Sequence, residues 1–287
     1  MIRVLNLGGG VQSVCIARMS LDGDLPPLDH MLFADTGAEW PETYEVVGQI
    51  EAACHNRGIG FHRVALDYRP SRRPNLLEAL MQAESAARWS APPLFVINQH
   101  AGKVTRGFTN RQCTGDYKKD PLIRKMRELA GIKPRSPGPK HHVLESWLGI
   151  SADEKERMKV GKRWQRVWHP LIEGPRPMNR WDCEVWLRER GYPVPVKSAC
   201  FFCPYQSDRR WRACRDLHPE LWRKAVDLDH HLRANAEYVG LKGTPYLHAD
   251  RVPLDQVDLR TPEERGQTTM EFDNDGFRDE CHGTCGV

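Results

Sequence analysis

Residues Val4–Ser13 read VLNLGGGVQS, and residues Met31–Thr43 read MLFADTGAEWPET. Each is a short apolar run stopped by a polar turn. The first stops at three glycines followed by Ser13, the second at Asp35-Thr36-Gly37. Apolar runs of this length, bounded by turn residues, fit buried strands. Between them, residues 12–21 carry Val14, Ile16, Ala17 and Leu21 at helical spacing. Residues 41–57 read as a second helix with proline in its first turn, and residues 60–66 as a third strand. This β-α-β-α-β order predicts a twisted, mainly parallel α/β sheet with helices on both faces. Two parallel strands whose C-terminal ends carry a phosphate-sized turn and a carboxylate frame a nucleotide pocket.

The remaining chain must be accommodated around that start. With 287 residues, 40% of them hydrophobic, it can build one large α/β domain with an appendage, or two small domains. A formal charge of +4 allows a phosphorylated or nucleic-acid partner without requiring one. No segment reaches the roughly 20 apolar residues of a membrane span. The N-terminus runs directly into Ile2, Val4 and Leu5 with no secretory signal, so a cytoplasmic location is expected. The nine cysteines then read as thiols or metal ligands, and their odd number points the same way.

Further along, residues 68–75 form a basic loop, 76–87 a helix, and 90–112 an irregular stretch. Residues 121–130 read as a basic helix and 133–140, rich in proline, as a flexible excursion. Residues 143–149 (VLESWLG) return as a core strand, and 180–190 form a helix. Beyond Pro204 the pattern turns helical at 208–214 and 219–239, and from Thr261 it is polar. The expected organisation is an α/β domain over 1–205, a helical C-terminal extension over 206–260, and a polar tail over 261–287 carrying Cys281 and Cys285. The extension reads equally as a lid, a docking surface or a homodimer contact. Trp147, Trp164, Trp168, Trp181, Trp186, Trp211 and Trp222 are expected to pack interiors.

The turn at Gly8, Gly9 and Gly10 lets backbone N–H groups approach an anion unobstructed, and Ser13 can add a hydroxyl. No Gly-Lys-Ser/Thr follows, and the glycine spacing is wrong for a dinucleotide fold. Asp35 can hold a ribose hydroxyl or a Mg2+ ion on phosphates; it can equally be a turn-and-cap residue. Cys200-Phe201-Phe202-Cys203-Pro204 is a turn whose two thiols converge on one metal or cluster, or form a dithiol redox pair. Basic residues are frequent at Arg69, Arg72 and Arg73, and from Arg111 to Lys140, but interleaved aromatics are sparse there.

Taken in order, these segments resemble a known superfamily. Gly8-Gly9-Gly10-Val11-Gln12-Ser13 is similar to the Ser-Gly-Gly-x-x-Ser loop of the PP-loop ATP pyrophosphatases, with Gly8 in place of the first serine. Phe33-Ala34-Asp35-Thr36-Gly37 followed by Pro41-Glu42-Thr43 resembles the second-strand motif of the PAPS reductase (sulfonucleotide reductase) branch. Cys113-Thr114 with Lys118, Pro121 and Leu122, then Gly149-Ile150, His169-Pro170-Leu171 and Cys200-x-x-Cys203 continue the series over about residues 3–205.

The resemblance implies an adenine nucleotide alpha hydrolase-like fold. ATP would be bound by Gly8, Gly9, Gly10, Gln12, Ser13, Asp35, Thr36 and Gly37, with Asp35 and Lys118 catalytic. It also implies a [4Fe–4S] cluster on Cys113, Cys200 and Cys203. The family's paired cysteine is Cys113-Thr114 here, which leaves one ligand to find; Cys183 is the candidate, with a small buried residue as its alternative. The implied reaction is ATP-dependent adenylation of an acceptor with release of pyrophosphate, in sulfur transfer or nucleobase modification. A nucleobase in tRNA, in DNA or in a small metabolite would be the acceptor. One rival is a sulfonucleotide reductase releasing sulfite, with Cys281 of the altered tail motif as nucleophile. Against it, Ser151-Ala152 replaces the expected arginine pair. The other rival is a non-catalytic nucleotide-binding subunit of a modification or defence complex.

Overall fold

The computed structural model describes residues 1–65, 75–82, 90–100, 103–237, 240–261 and 264–266. The elements run β1 (Ile2–Leu7), α1 (Val11–Asp22), β2 (His30–Ala34), α2 (Pro41–Asn56), β3 (Gly60–Val64), α3 (Leu76–Met81), β4 (Phe95–His100) and β5 (Lys103–Phe108). They continue α4 (Asp120–Leu129), β6 (Leu144–Trp147), β7 (Gln165–Trp168), α5 (Pro170–Glu173), α6 (Arg180–Glu189), α7 (Asp208–Leu217), α8 (Pro219–Ala234) and β8 (Thr244–Tyr246). The described residues form two compact units, one within Met1–Asp67 and Asp116–Ala199, the other within Tyr68–Gly115 and Cys200–His282.

The first unit is an α/β layer structure. Its five strands lie in the order β3-β2-β1-β6-β7, and all four pairings are parallel. The chain begins at the centre of the sheet, steps outward through β2 and β3, and returns on the other side of β1. The order therefore reverses between β1 and β6, and the crevice beyond their carboxyl ends is where open α/β sheets take ligands.

Strand periodicity decides which helix covers which face. Leu5, Leu7, Met31 and Phe33 point to one side and pack with α1, α2 and α6. Val4, Leu32, Ala34 and Leu144 point to the other side and pack with Leu122 and Met126 of α4. Both faces are covered, so all four residues of β6 are buried and its run is not purely apolar. Glu145 survives there because Arg3 and Arg166 stand opposite it on the neighbouring strands, at 3.8 and 3.3 Å, and Trp147 Nε1 donates to it at 2.9 Å.

The second unit carries a three-stranded antiparallel sheet in the order β5-β4-β8 together with α3, α7 and α8. The irregular stretch expected over residues 90–112 is thus corrected: it holds the β4–β5 hairpin. Lys103, Val104, Thr105 and Arg106 are all exposed, so the apolar–polar alternation that marks a half-buried strand is missing. The segment 133–140 is not left loose. Arg127 donates to the carbonyls of Lys133 and Ser136, and Arg163 to those of Pro137 and Gly138. Trp147, Trp164 and Trp211 are fully buried as expected, but Trp181 is 66% exposed. The basic loop 68–75 lies, except for Asn75, outside the described residues, as does nearly all of the polar tail.

One close approach locks α1 onto the end of β6. A β-carbon on Gly149 would lie 2.8 Å from the backbone nitrogen of Ser13. Gly149→Ala is expected to cost about 1–3 kcal/mol through overpacking. Urea unfolding checks this, and a variant as stable as the parent would show that α1 does not need that approach.

Candidate functional site

Leu7 ends β1, and the next three residues turn the chain into α1. Gly9 takes φ +80°, a left-handed conformation that favours glycine, and its missing side chain leaves room for Thr43 of α2. Gly10 is the N-cap of α1. It offers no capping side chain, and no carboxylate lies in the first helical turn. The helix therefore presents uncapped N–H groups and the positive end of its dipole at the reversal point of the sheet. Ser13 serves the turn itself: Gly8 N–H donates to Ser13 Oγ at 3.1 Å, and the Ser13 hydroxyl donates to the Gly10 carbonyl at 3.1 Å. Gln12 Nε2 reaches Ser151 Oγ at 3.5 Å, the position after Gly149-Ile150.

Asp35 follows β2. Its Oδ1 accepts from Gly37 N–H at 2.8 Å and from the Tyr44 hydroxyl at 2.7 Å. The first bond is the turn geometry that the sequence allowed. The second comes from the first turn of α2 and fixes the carboxylate. Burial, and then the Asp35 carboxylate it binds, raises the Tyr44 phenol well above its ordinary value, so it stays a proton donor. Asp35 Oδ2 takes no donor among the described residues, which leaves one oxygen for a hydroxyl or a cation.

The residue that sequence reasoning missed is Glu39. Its side chain is fully buried and holds Lys118 Nζ at 2.8 Å, Ser198 Oγ at 3.1 Å and Thr36 Oγ1 at 3.5 Å. A carboxylate removed from water survives only when it is paired and hydrogen-bonded in this way. Lys118 arrives on a π-helical turn, Gly115–Lys119, which leads into α4; such turns recur at functional positions. Ser198 closes the circuit, because a β-carbon on Gly10 would sit 4.0 Å from Ser198 Cβ. Gly10, Ser198, Glu39 and Lys118 therefore form a chain of neighbours, with the lysine three contacts from the glycine turn. Nothing in hydropathy marks Glu39, since a buried carboxylate looks like any acid ahead of a helix.

The cysteines separate into two groups. Cys183 lies on α6 and is fully buried in the first unit's core. A hydrogen bond with Cys15 of α1 and burial raise its thiol well above the ordinary range. Cys183 is thus packed as a core thiol on the amphipathic face it shares with Trp186 and Leu187, the alternative that the sequence left open beside a ligand role. Burial likewise pushes Cys54 up to about 11 and Cys214 up to about 12. Cys113, Cys200 and Cys203 all belong to the second unit. Phe108 and Tyr205 are in ring contact at 5.4 Å, and the Arg111 guanidinium lies over Tyr205 at 5.7 Å. These contacts hold the segment leading to Cys113 against the segment leaving Cys203. Among the described residues no group of three His, Cys, Asp or Glu side chains is arranged to hold a single metal ion. Cys281 lies outside the described residues.

Compared with protein-family models, with curated proteins and with solved structures, the chain matches none. No helix among the described residues is long and apolar enough to cross a membrane.

The Glu39–Lys118 pair yields a stability expectation. Glu39→Ala strands the lysine in a largely buried place and should cost about 3–5 kcal/mol. Glu39→Gln, which keeps polar atoms toward Ser198 and Lys118, should cost less. Chemical denaturation of both checks this; an alanine variant as stable as the parent would remove the pair from the account.

Proposed function

We propose that the first unit binds ATP and adenylates an acceptor, releasing pyrophosphate. The observation that carries the reading is the uncapped N-terminus of α1 at the reversal point of the parallel sheet, with Lys118 held toward it by Glu39 and Ser198. The ordered motifs over residues 3–205 support it from the sequence side.

In this reading the triphosphate lies on the turn at Gly9 and Gly10, where the N–H groups at the start of α1 and the helix dipole offset its charge. Asp35 turns Oδ2 to the ribose or to a Mg2+ ion on the phosphates. A carbonyl or amide oxygen of the acceptor attacks the α-phosphorus. That P–O bond forms as the bond to the bridging oxygen breaks, and pyrophosphate leaves with the electron pair. Lys118 neutralises charge that builds on the phosphate oxygens, and Glu39 keeps its ammonium placed. A nucleophile then adds to the activated carbon and AMP departs. A [4Fe–4S] cluster on Cys113, Cys200 and Cys203 would supply sulfur chemistry to the protein when bound. The acceptor class is a nucleobase, free or in nucleic acid.

The test is product analysis. Labelled ATP incubated with the anaerobically purified protein and bulk tRNA or DNA should give AMP and pyrophosphate in equal amounts. Asp35→Asn and Lys118→Ala should each lower the rate about 10²–10³-fold. ADP and phosphate as products would contradict the reading, and sulfite release from a phosphosulfate nucleotide would replace it. In the same preparation, serine at Cys113, Cys200 or Cys203 should lower bound iron and brown colour, whereas Cys183→Ser should keep both.

A further inference from the structure

The antiparallel sheet of the second unit has one covered face and one open one. Gly107, Val96 and Pro245 stand opposite one another across β5, β4 and β8, and Val96 and Pro245 are buried. The next row alternates to the other face. It reads Phe108, Phe95 and Tyr246 in register across the three strands. Tyr205 extends the row past β5: the Tyr205 and Phe108 rings lie 5.4 Å apart, and Phe108 and Phe95 5.1 Å apart. Phe108 is 45% exposed, and Val104, on the same face of β5, is 66% exposed.

Guanidinium groups stand over these rings; the one over Tyr246, Arg233, is paired with Asp229. Arg111 lies over Tyr205 at 5.7 Å and Arg251 over Phe95 at 5.3 Å. Arg106, opposite Ile97 and two residues before Phe108 on the same face, is exposed. From Ser90 to Gly115 the chain contains Lys103, Arg106 and Arg111 and no carboxylate. Charge on an edge strand also discourages strand addition, but that duty does not call for an exposed phenylalanine beside it. Val104 and Ile97 give the face some aliphatic surface, but the guanidinium groups over its rings suit bases and phosphates better than an apolar protein partner.

We infer that this face binds single-stranded nucleic acid, with bases stacked on Phe108 and Tyr205 and the phosphates drawn to Arg106 and Arg111. Aromatic rings accept any base, so the site reads strand state rather than sequence. The inference deepens the reading above by naming a polynucleotide as the carrier of the acceptor base. Its test runs without ATP, so it fails or succeeds apart from adenylation.

The experiment is fluorescence anisotropy of labelled 20-nucleotide oligo(U) and oligo(dT), and of a duplex of the same length (about 20 nucleotides suffices for one such sheet), against the full-length protein. Binding of either single strand, tighter than the duplex, is expected. Phe108→Ala and Tyr205→Ala should each weaken it roughly 5- to 100-fold, while Tyr205→Phe retains it. Arg106→Glu should flatten the slope of log affinity against log salt by about 0.7 for the phosphate contact removed. Circular dichroism confirms that each variant is folded. Absence of binding at micromolar protein, equal binding of duplex, or affinity untouched by all three ring and arginine variants would overturn the inference. So would loss of self-association, instead of oligonucleotide binding, in folded Phe108→Ala.

Discussion

The approach of α1 to the end of β6 governs the first unit. Ser13 backbone and Gly149 come so near that a single β-carbon would intrude. That contact seats the helix start over the place where strand order reverses, between β1 and β6. Gly9 and Gly10 then do different things. Gly9 supplies a conformation and a space, with φ +80° against Thr43; Gly10 supplies an absence, since an N-cap without a side chain leaves the helix's first N–H groups open. An N-terminus of this kind is an anion site by its own dipole and donors.

Electrostatics around that point are arranged in two layers. Asp35 has one oxygen committed to Gly37 and Tyr44 and one oxygen left over. Glu39 is spent entirely on protein partners, and its cost of burial is offset by Lys118, Ser198 and Thr36. A carboxylate so placed cannot touch phosphates without repelling them. It acts through the lysine, and it ties three separate segments of the chain, 36–39, the π-helical turn and the residue preceding Ala199, into one group.

Much of the first unit was legible because strand and helix periods are strong where both faces of a sheet are covered. β1, α1, β2, α2 and β6 fall within one or two residues of the segments read from apolar runs. The site was legible where it is made of consecutive residues, as in Gly8–Ser13 and Asp35–Gly37. Glu39, Tyr44 and Ser198 were not, because their roles come from contacts across the fold and not from spacing. Cys183 occupies the side of α6 that faces Cys15, which its proximity in sequence to the Cys200 turn could not tell. In the second unit β5 hid itself by being exposed and basic, and β4 finds its other partner at Thr244–Tyr246, far along the chain. A pairing at that separation leaves no local pattern.

The central claim is that the open N-cap of α1 receives phosphate groups, and calorimetric titration of ATP into Gly10→Asp tests it most directly. Gly10 has φ −90°, ψ 173° and only Ser198 about its missing side chain, so an aspartate fits and caps the helix. The variant should unfold no earlier than the parent and yet lose nucleotide binding, because its own carboxylate occupies and repels from the place of the anion. A folded Gly10→Asp protein that binds ATP as the parent does would contradict the account.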